Sequence, residues 1–419
     1  MTVIYPVKSV YTRIGMWING ALYAPENDAD CKNVAVLVMH SDADYLNFPA
    51  GRALAGHGYR TLCANPSRSG EPLDKKLLDV KACVEYLRGL PGVEKVVLLG
   101  HSGGATLMSC YQAVAENGAA CFRDEKKIVP ISDVGELPAA DALFLLDSNW
   151  GNGVMTLLSL DPAVKCSGSG TDLDPAYNLA NPEVGYAPDG AHYTDEFIAA
   201  YHKAQGERNN RLIDAALERL DALKTGKGAY RDDEPWVIAG ASQMAPCNRM
   251  FPQDVRLLSH TKGEWPLIHA DGSVTVGVVS SLRKPKEAKP FTGMFGMGAM
   301  NTSVKAYLAS QAIRTTADYG YDETHVYGVD WDSSYCCTPG NMRLVRAPLL
   351  LVGLTAGYEF LASECIYEMA ASEDKTLAFV EGATHMVWPA KDCEAFPGQF
   401  GDTVKTTFEF AAKWLSEHF

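Results

Sequence analysis

Residues 96–110 constrain this chain more than any other stretch. They read Val96-Val97-Leu98-Leu99-Gly100-His101-Ser102-Gly103-Gly104-Ala105-Thr106-Leu107-Met108-Ser109-Cys110. Four apolar residues enter a G-x-S-x-G turn, and a run of helix formers leaves it. A chain that passes from strand to helix in so few residues brings two backbones almost into contact. The positions two before and two after the serine must therefore lack side chains. The serine is left on a strained tip with its hydroxyl exposed. In a chain with 37 glycines the five-residue pattern alone means little. The apolar run before it and the helical segment after it turn the pattern into an expected nucleophile, Ser102.

The same alternation runs along the first third of the chain. Two strands are expected at 7–14 and 16–23, broken at Gly15. The unbroken apolar run 34–39 reads as a strand buried on both faces of a parallel sheet. A short helix at 49–55 stops at Gly56 and Gly58. A strand at 59–64 follows. Residues 73–90 place apolar side chains at 77, 80, 84 and 87, one face of a helix. After the 96–99 strand and its helix comes a strand at 140–146, closing in Asp147. The pattern returns with a strand at 347–354, a helix at 361–371, a strand at 376–380 and a terminal helix at 404–419. Right-handed crossovers then give an α/β chain with a mostly parallel, doubly wound sheet.

Between Asp147 and Ala347 the alternation stops. Residues 160–191 are rich in Gly, Pro, Asp and Asn, 194–223 is charged and helical, and short strands are expected at 236–239 and 273–279. Because the sheet pattern resumes afterwards, this block reads as an insertion. The expected division is a core made of 1–150 and 340–419, with a cap at 151–339. Within the cap, residues 291–300 combine Met294, Phe295, Met297 and three glycines. Thioethers adapt to varied apolar shapes and glycines permit movement, so Met294, Phe295 and Met297 are candidate pocket residues, as are His40 and His101 near the turn.

Composition narrows the function classes. A hydrophobic share of 47% and a charged share of 21% suit a globular protein with a sizeable core. A net charge of −14 argues against nucleic acid or an anionic membrane as partner. The eleven cysteines are scattered, odd in number and without a C-x-x-C pair. They read as reduced thiols of a cytoplasmic protein. No signal-like run opens the chain and no window is apolar enough for a membrane span. A small-molecule substrate is the expected partner, with a homodimer possible. No H-E-x-x-H or comparable ligand cluster occurs, so neither a metal nor another cofactor is expected.

The ordered strands, the turn Gly100-His101-Ser102-Gly103-Gly104 and the late Gly382-Ala383-Thr384-His385 resemble the α/β-hydrolase superfamily. The resemblance covers about 1–150 and 340–419. Caps between the sixth and seventh strands are common in that superfamily, which is where the insertion falls. The segment 79–87 before the turn is similar to the dienelactone-hydrolase and esterase branch.

A serine hydroxyl needs a base within hydrogen-bond reach to attack near neutral pH. His385, in a loop past the last strand, fits that base. The resemblance implies the order serine, acid, histidine, with the acid in the loop after the seventh strand. Counting from Gly353, that position is Gly357, so the usual aspartate is missing. Glu359 is the nearest carboxylate and the first candidate. Asp147, at the tip of the sixth strand, and Glu364, inside the next helix, are the alternatives. The resemblance also implies an oxyanion hole from the backbone N–H of Gly103 and, by position, of Asp42, with the Asp42 and Asp44 carboxylates pointing away. The expected activity is a serine hydrolase opening a carboxylic ester, lactone or thioester of a small apolar or aromatic substrate through an acyl-enzyme. A C–C bond hydrolase or amidase on the same triad, and a hydrolase-like binding protein with little turnover, are the alternatives.

Overall fold

The computed structural model describes residues 3–165, 173–245, 248–286 and 298–419. The chain opens with the hairpin β1 (Val7–Ile14) and β2 (Ile18–Pro25). It then alternates β3 (Val34–Met39), α1 (Pro49–Gly56), β4 (Arg60–Asn65), α2 (Leu73–Arg88), β5 (Lys95–His101), α3 (Gly103–Asn117) and β6 (Ala142–Leu146). The inserted block holds α4 (Asn152–Leu158), the long α5 (Asp195–Lys224), β7 (Pro235–Ala239), β8 (His260–Ile268) and β9 (Val274–Ser280). It continues through β10 (Ala299–Ser303), α6 (Val304–Ser310), β11 (Thr315–Tyr321), β12 (Val326–Val329) and α7 (Thr338–Met342). The core resumes as β13 (Leu349–Leu354), α8 (Phe360–Met369), β14 (Lys375–Val380) and α9 (Thr403–His418).

Ten strands form one sheet in the order β1-β2-β4-β3-β5-β6-β13-β14-β8-β9. From β4 to β8 every neighbour runs parallel; the strands at the two ends are antiparallel. Unbroken apolar runs suit this sheet because both faces are covered. In β5, Val96 and Leu98 face α2, α3 and α8, while Val97 and Leu99 face α1 and α9. The fold is thus the mostly parallel, doubly wound sheet expected from the alternation of apolar runs.

The inserted block departs from a free-standing cap in one respect. Its hairpin β8–β9 joins the central sheet, with Leu267 and Ile268 in register with Phe379 and Val380 of β14. An unpaired edge on β14 would leave a row of backbone donors and acceptors open, and β8 covers it. The rest of the block has its own apolar cluster, in which Ile213, Leu220, Ile238, Tyr307 and Leu308 pack between α5, β7 and α6. All nine cysteines among the described residues are unpaired thiols. No helix among them is long and apolar enough to cross a membrane.

Candidate active site

The turn after β5 has the geometry its glycines require. A Cβ on Gly100 would stand 2.6 Å from Ala105 Cα, and one on Gly104 would stand 2.5 Å from the Met39 carbonyl oxygen. Ser102 between them has φ 55° and ψ −128°. A left-handed backbone at a residue with a side chain costs about 1–3 kcal/mol and persists only where its surroundings enforce it. Four non-glycine residues among those described share this feature: Ser102, Asp147, Leu258 and Val387. Three of the four cluster at the carboxyl ends of the central strands.

Asp147 follows β6 and is fully buried. Its N–H donates to the Val352 carbonyl at 2.7 Å, and its Oδ1 accepts the Leu354 N–H at 2.9 Å, so β13 fixes it from both ends. Its Oδ2 accepts a hydrogen bond from Nδ1 of His385 at 2.6 Å. The loop bearing His385 is tied down by Gly382 N–H on Thr355 Oγ1, by Ala356 N–H on the Ala383 carbonyl and by Thr403 Oγ1 on the Val387 carbonyl. The carboxylate paired with His385 Nδ1 is therefore that of Asp147. Glu359, the first candidate from sequence, does not take Nδ1. It stands at the start of α8 without capping it, and its Oε2 turns back to accept the Tyr358 N–H at 3.1 Å. Strands β6 and β13 are adjacent in the sheet, so both loop ends reach the histidine, but the strand-end aspartate reaches it with the shorter span. Glu364 lies elsewhere. It accepts N–H bonds from Lys262, Gly263 and the Trp265 indole at 2.9, 2.7 and 2.7 Å, fastening β8 to α8.

His101, expected at the pocket, is fully buried instead. Its Nε2 donates to the His385 carbonyl at 2.6 Å, which leaves Nδ1 to accept from the Tyr45 hydroxyl at 2.5 Å. Burial holds its pKa well below the ordinary histidine range, so it stays neutral and acts as a bolt between the turn and the His385 loop. The two rings lie 4.5 Å apart between centroids, which seats His385 directly against the turn that carries Ser102. The Ser102 hydroxyl has no hydrogen-bond partner among the described residues, a common state before substrate binds.

The expected oxyanion donor at Asp42 is already engaged. Its N–H, like that of Ala43, donates to Nδ1 of His40, at 3.0 and 2.9 Å. The Asp42 carboxylate turns away to Lys76 Nζ at 2.6 Å, and that of Asp44 turns to Asn65 Nδ2 at 2.7 Å. With Nδ1 accepting two donors, the proton of neutral His40 sits on Nε2. Burial pushes His40 down to about 4, so the neutral form prevails near pH 7. Nε2 lies 3.1 Å from where a Cβ on Gly103 would stand, with Ser41 Oγ and Asn152 Oδ1 at 2.9 and 2.8 Å from the same point. Gly103 opens α3, where its N–H has no partner within the helix. Asn152, whose Nδ2 donates to Ser41 Oγ at 3.2 Å, was not singled out from sequence. Its signal was the polar run that follows Asp147, which includes Ser148, Asn149 and Asn152.

A hollow of about 230 Å³ borders the Asp42 loop, between Ser69 and Gly70 of the core and Met300, Asn301 and Gln311 of the inserted block. The candidate pocket residues Met294, Phe295 and Met297 lie outside the described residues. The one group of three or more His, Cys, Asp and Glu side chains close enough to share a small ion, among the described residues, is Asp147, Glu359 and His385. There His385 Nδ1 donates to Asp147.

No family profile matches the chain, and no curated protein sequence matches it. Solved structures do. Est1E from Butyrivibrio proteoclasticus is 13% identical, covers 98% of both chains and has a TM-score of 0.41. The siderophore hydrolase EstB from Aspergillus fumigatus is 12% identical over 98% of both, with a TM-score of 0.43. The α/β hydrolase GrgF from Penicillium sp. sh18 is 12% identical over 99% of both, with a TM-score of 0.41.

Proposed function

We propose that this chain, which has the α/β-hydrolase fold, is a serine hydrolase that opens a carboxylic ester, lactone or thioester through an acyl-enzyme. The observation that carries the reading is the pair of buried Asp147 and partly exposed His385, seated against a strained serine at a strand-to-helix turn. With Nδ1 donating to Asp147, Nε2 of neutral His385 is the atom left to accept the Ser102 proton.

In this mechanism Ser102 Oγ attacks the carbonyl carbon and its proton passes to His385 Nε2. Asp147 holds the ring and stabilises the imidazolium. The oxyanion receives the Gly103 N–H and the His40 Nε2–H. His385 then protonates the leaving group, and water repeats the sequence to free the acid and regenerate the serine. The inserted block bounds the substrate, which we take to be small and apolar or aromatic, in a protein of the cytoplasm.

A fluorophosphonate probe tests the reading without knowledge of the substrate. The wild-type protein is expected to label on Ser102 and Ser102→Ala to remain unlabelled. Labelling that persists in Ser102→Ala would overturn the assignment. A folded wild-type protein that does not label would point to a binding protein on a hydrolase scaffold.

A further inference from the structure

His385 faces two carboxylates, one more than a serine–histidine–acid triad uses. Asp147 has both oxygens engaged, one on Leu354 N–H and one on His385 Nδ1. Glu359 comes from the next strand's loop. One oxygen from each carboxylate and one ring nitrogen of His385 all lie within 4.8 Å of one another. The Glu359 carboxylate lies over Gly357, where a Cβ would stand 2.6 Å from its Oε2. Its Oε2 is held by the Tyr358 N–H.

Resting on the serine-hydrolase reading, we propose that Glu359 is a second acid for His385, a positioning residue that shares the imidazolium charge with Asp147 and sustains turnover when Asp147 is lost. The charged and titratable groups around His385 fit that role. His101 from β5 and His40 from the β3 loop are both held neutral. Arg249, from the inserted block, adds to the His385 charge and the backbone N–H groups in keeping Glu359 charged, and Tyr358 beside it holds its proton. Burial works against charge on His385, yet the Glu359 carboxylate and the Asp147 bond outweigh it and lift the group above the ordinary histidine range. Burial likewise opposes charge on Glu359, and the His385 charge, the backbone N–H groups and Arg249 outweigh it. Asp147 is raised to about 6 by its burial, against the His385 bond, and the neighbouring Glu359 charge adds to the rise. The two carboxylates oppose each other's charge, and the His385 imidazolium is what both stabilise.

The test is the rate of Ser102 labelling by fluorophosphonate as a function of pH, because attack needs neutral His385. In wild type the acid limb of the profile should lie above the ordinary histidine range. Glu359→Gln should move it down by about one pH unit or more, the size an opposite charge at 4–6 Å produces. Asp147→Asn should lose about 10²-fold in rate, less than the roughly 10⁴-fold seen when a triad has one acid. The double variant should fall to the Ser102→Ala background. Glu359→Ala, which cannot misplace an amide, should repeat the Glu359→Gln shift. An unmoved acid limb in both Glu359 variants, or a double variant no slower than Asp147→Asn, overturns the second acid while labelled wild type leaves the hydrolase reading intact. Unlabelled wild type overturns both.

Discussion

At the residue scale, one histidine has two jobs that a sequence does not display. His40 anchors the loop after β3 through Nδ1 and presents a donor beside Gly103 through Nε2. His40→Asn keeps an acceptor for the loop and deletes that donor. Its kcat on p-nitrophenyl acetate is expected to fall about 10²- to 10³-fold, the loss typical for one oxyanion donor, with little change in melting temperature. Full activity in this variant would return the donor role to a backbone N–H. Ser102 and His385 were legible as candidates because glycine flanks the one and Gly382 opens the strand-end loop of the other, local patterns both. The acid was not. Asp147 and Glu359 are both polar residues just past apolar strands. Which one reaches Nδ1 depends on the lateral order of β6 and β13, set by contacts between residues some two hundred positions apart. The Asp42 N–H is turned elsewhere for a local reason, since it donates to the ring of a residue two positions earlier.

At the element scale, strands with both faces buried announce themselves by composition, and β3, β5, β6, β13 and β14 fall where the apolar runs lie. Strand β8 did not. His260-Thr261-Lys262-Gly263-Glu264-Trp265-Pro266-Leu267-Ile268 mixes charge, glycine and proline, and reads as a loop until β14 supplies a partner. It is held on its other side by Glu364 of α8. Replacing that side chain with alanine leaves two backbone N–H groups and an indole N–H without their acceptor. Glu364→Ala is therefore expected to cost about 3 kcal/mol, given 1–3 kcal/mol for each buried polar group left unpaired. Urea unfolding measures it, and a loss below about 0.5 kcal/mol, the range of ordinary surface changes, would show that β8 docks without it. Because Glu364 does not touch His385, the pH profile of labelling should stay where it is in wild type.

At the scale of the whole molecule, core and insertion share one sheet, so they should share one unfolding transition. Differential scanning calorimetry is expected to give a single peak whose calorimetric and van't Hoff enthalpies agree; two resolved peaks would mean that the block folds by itself. The shared sheet also limits how substrate can enter. A cap joined to its core by two flexible tethers can swing aside as a rigid body. Here that motion would have to peel β8 from β14 and strip the outer edge of the catalytic sheet, next to the strand whose loop carries His385. Access must come from smaller displacements in the parts of the block that the hairpin does not clamp. The strand pair that completes the sheet thereby moors one side of the inserted block to the core.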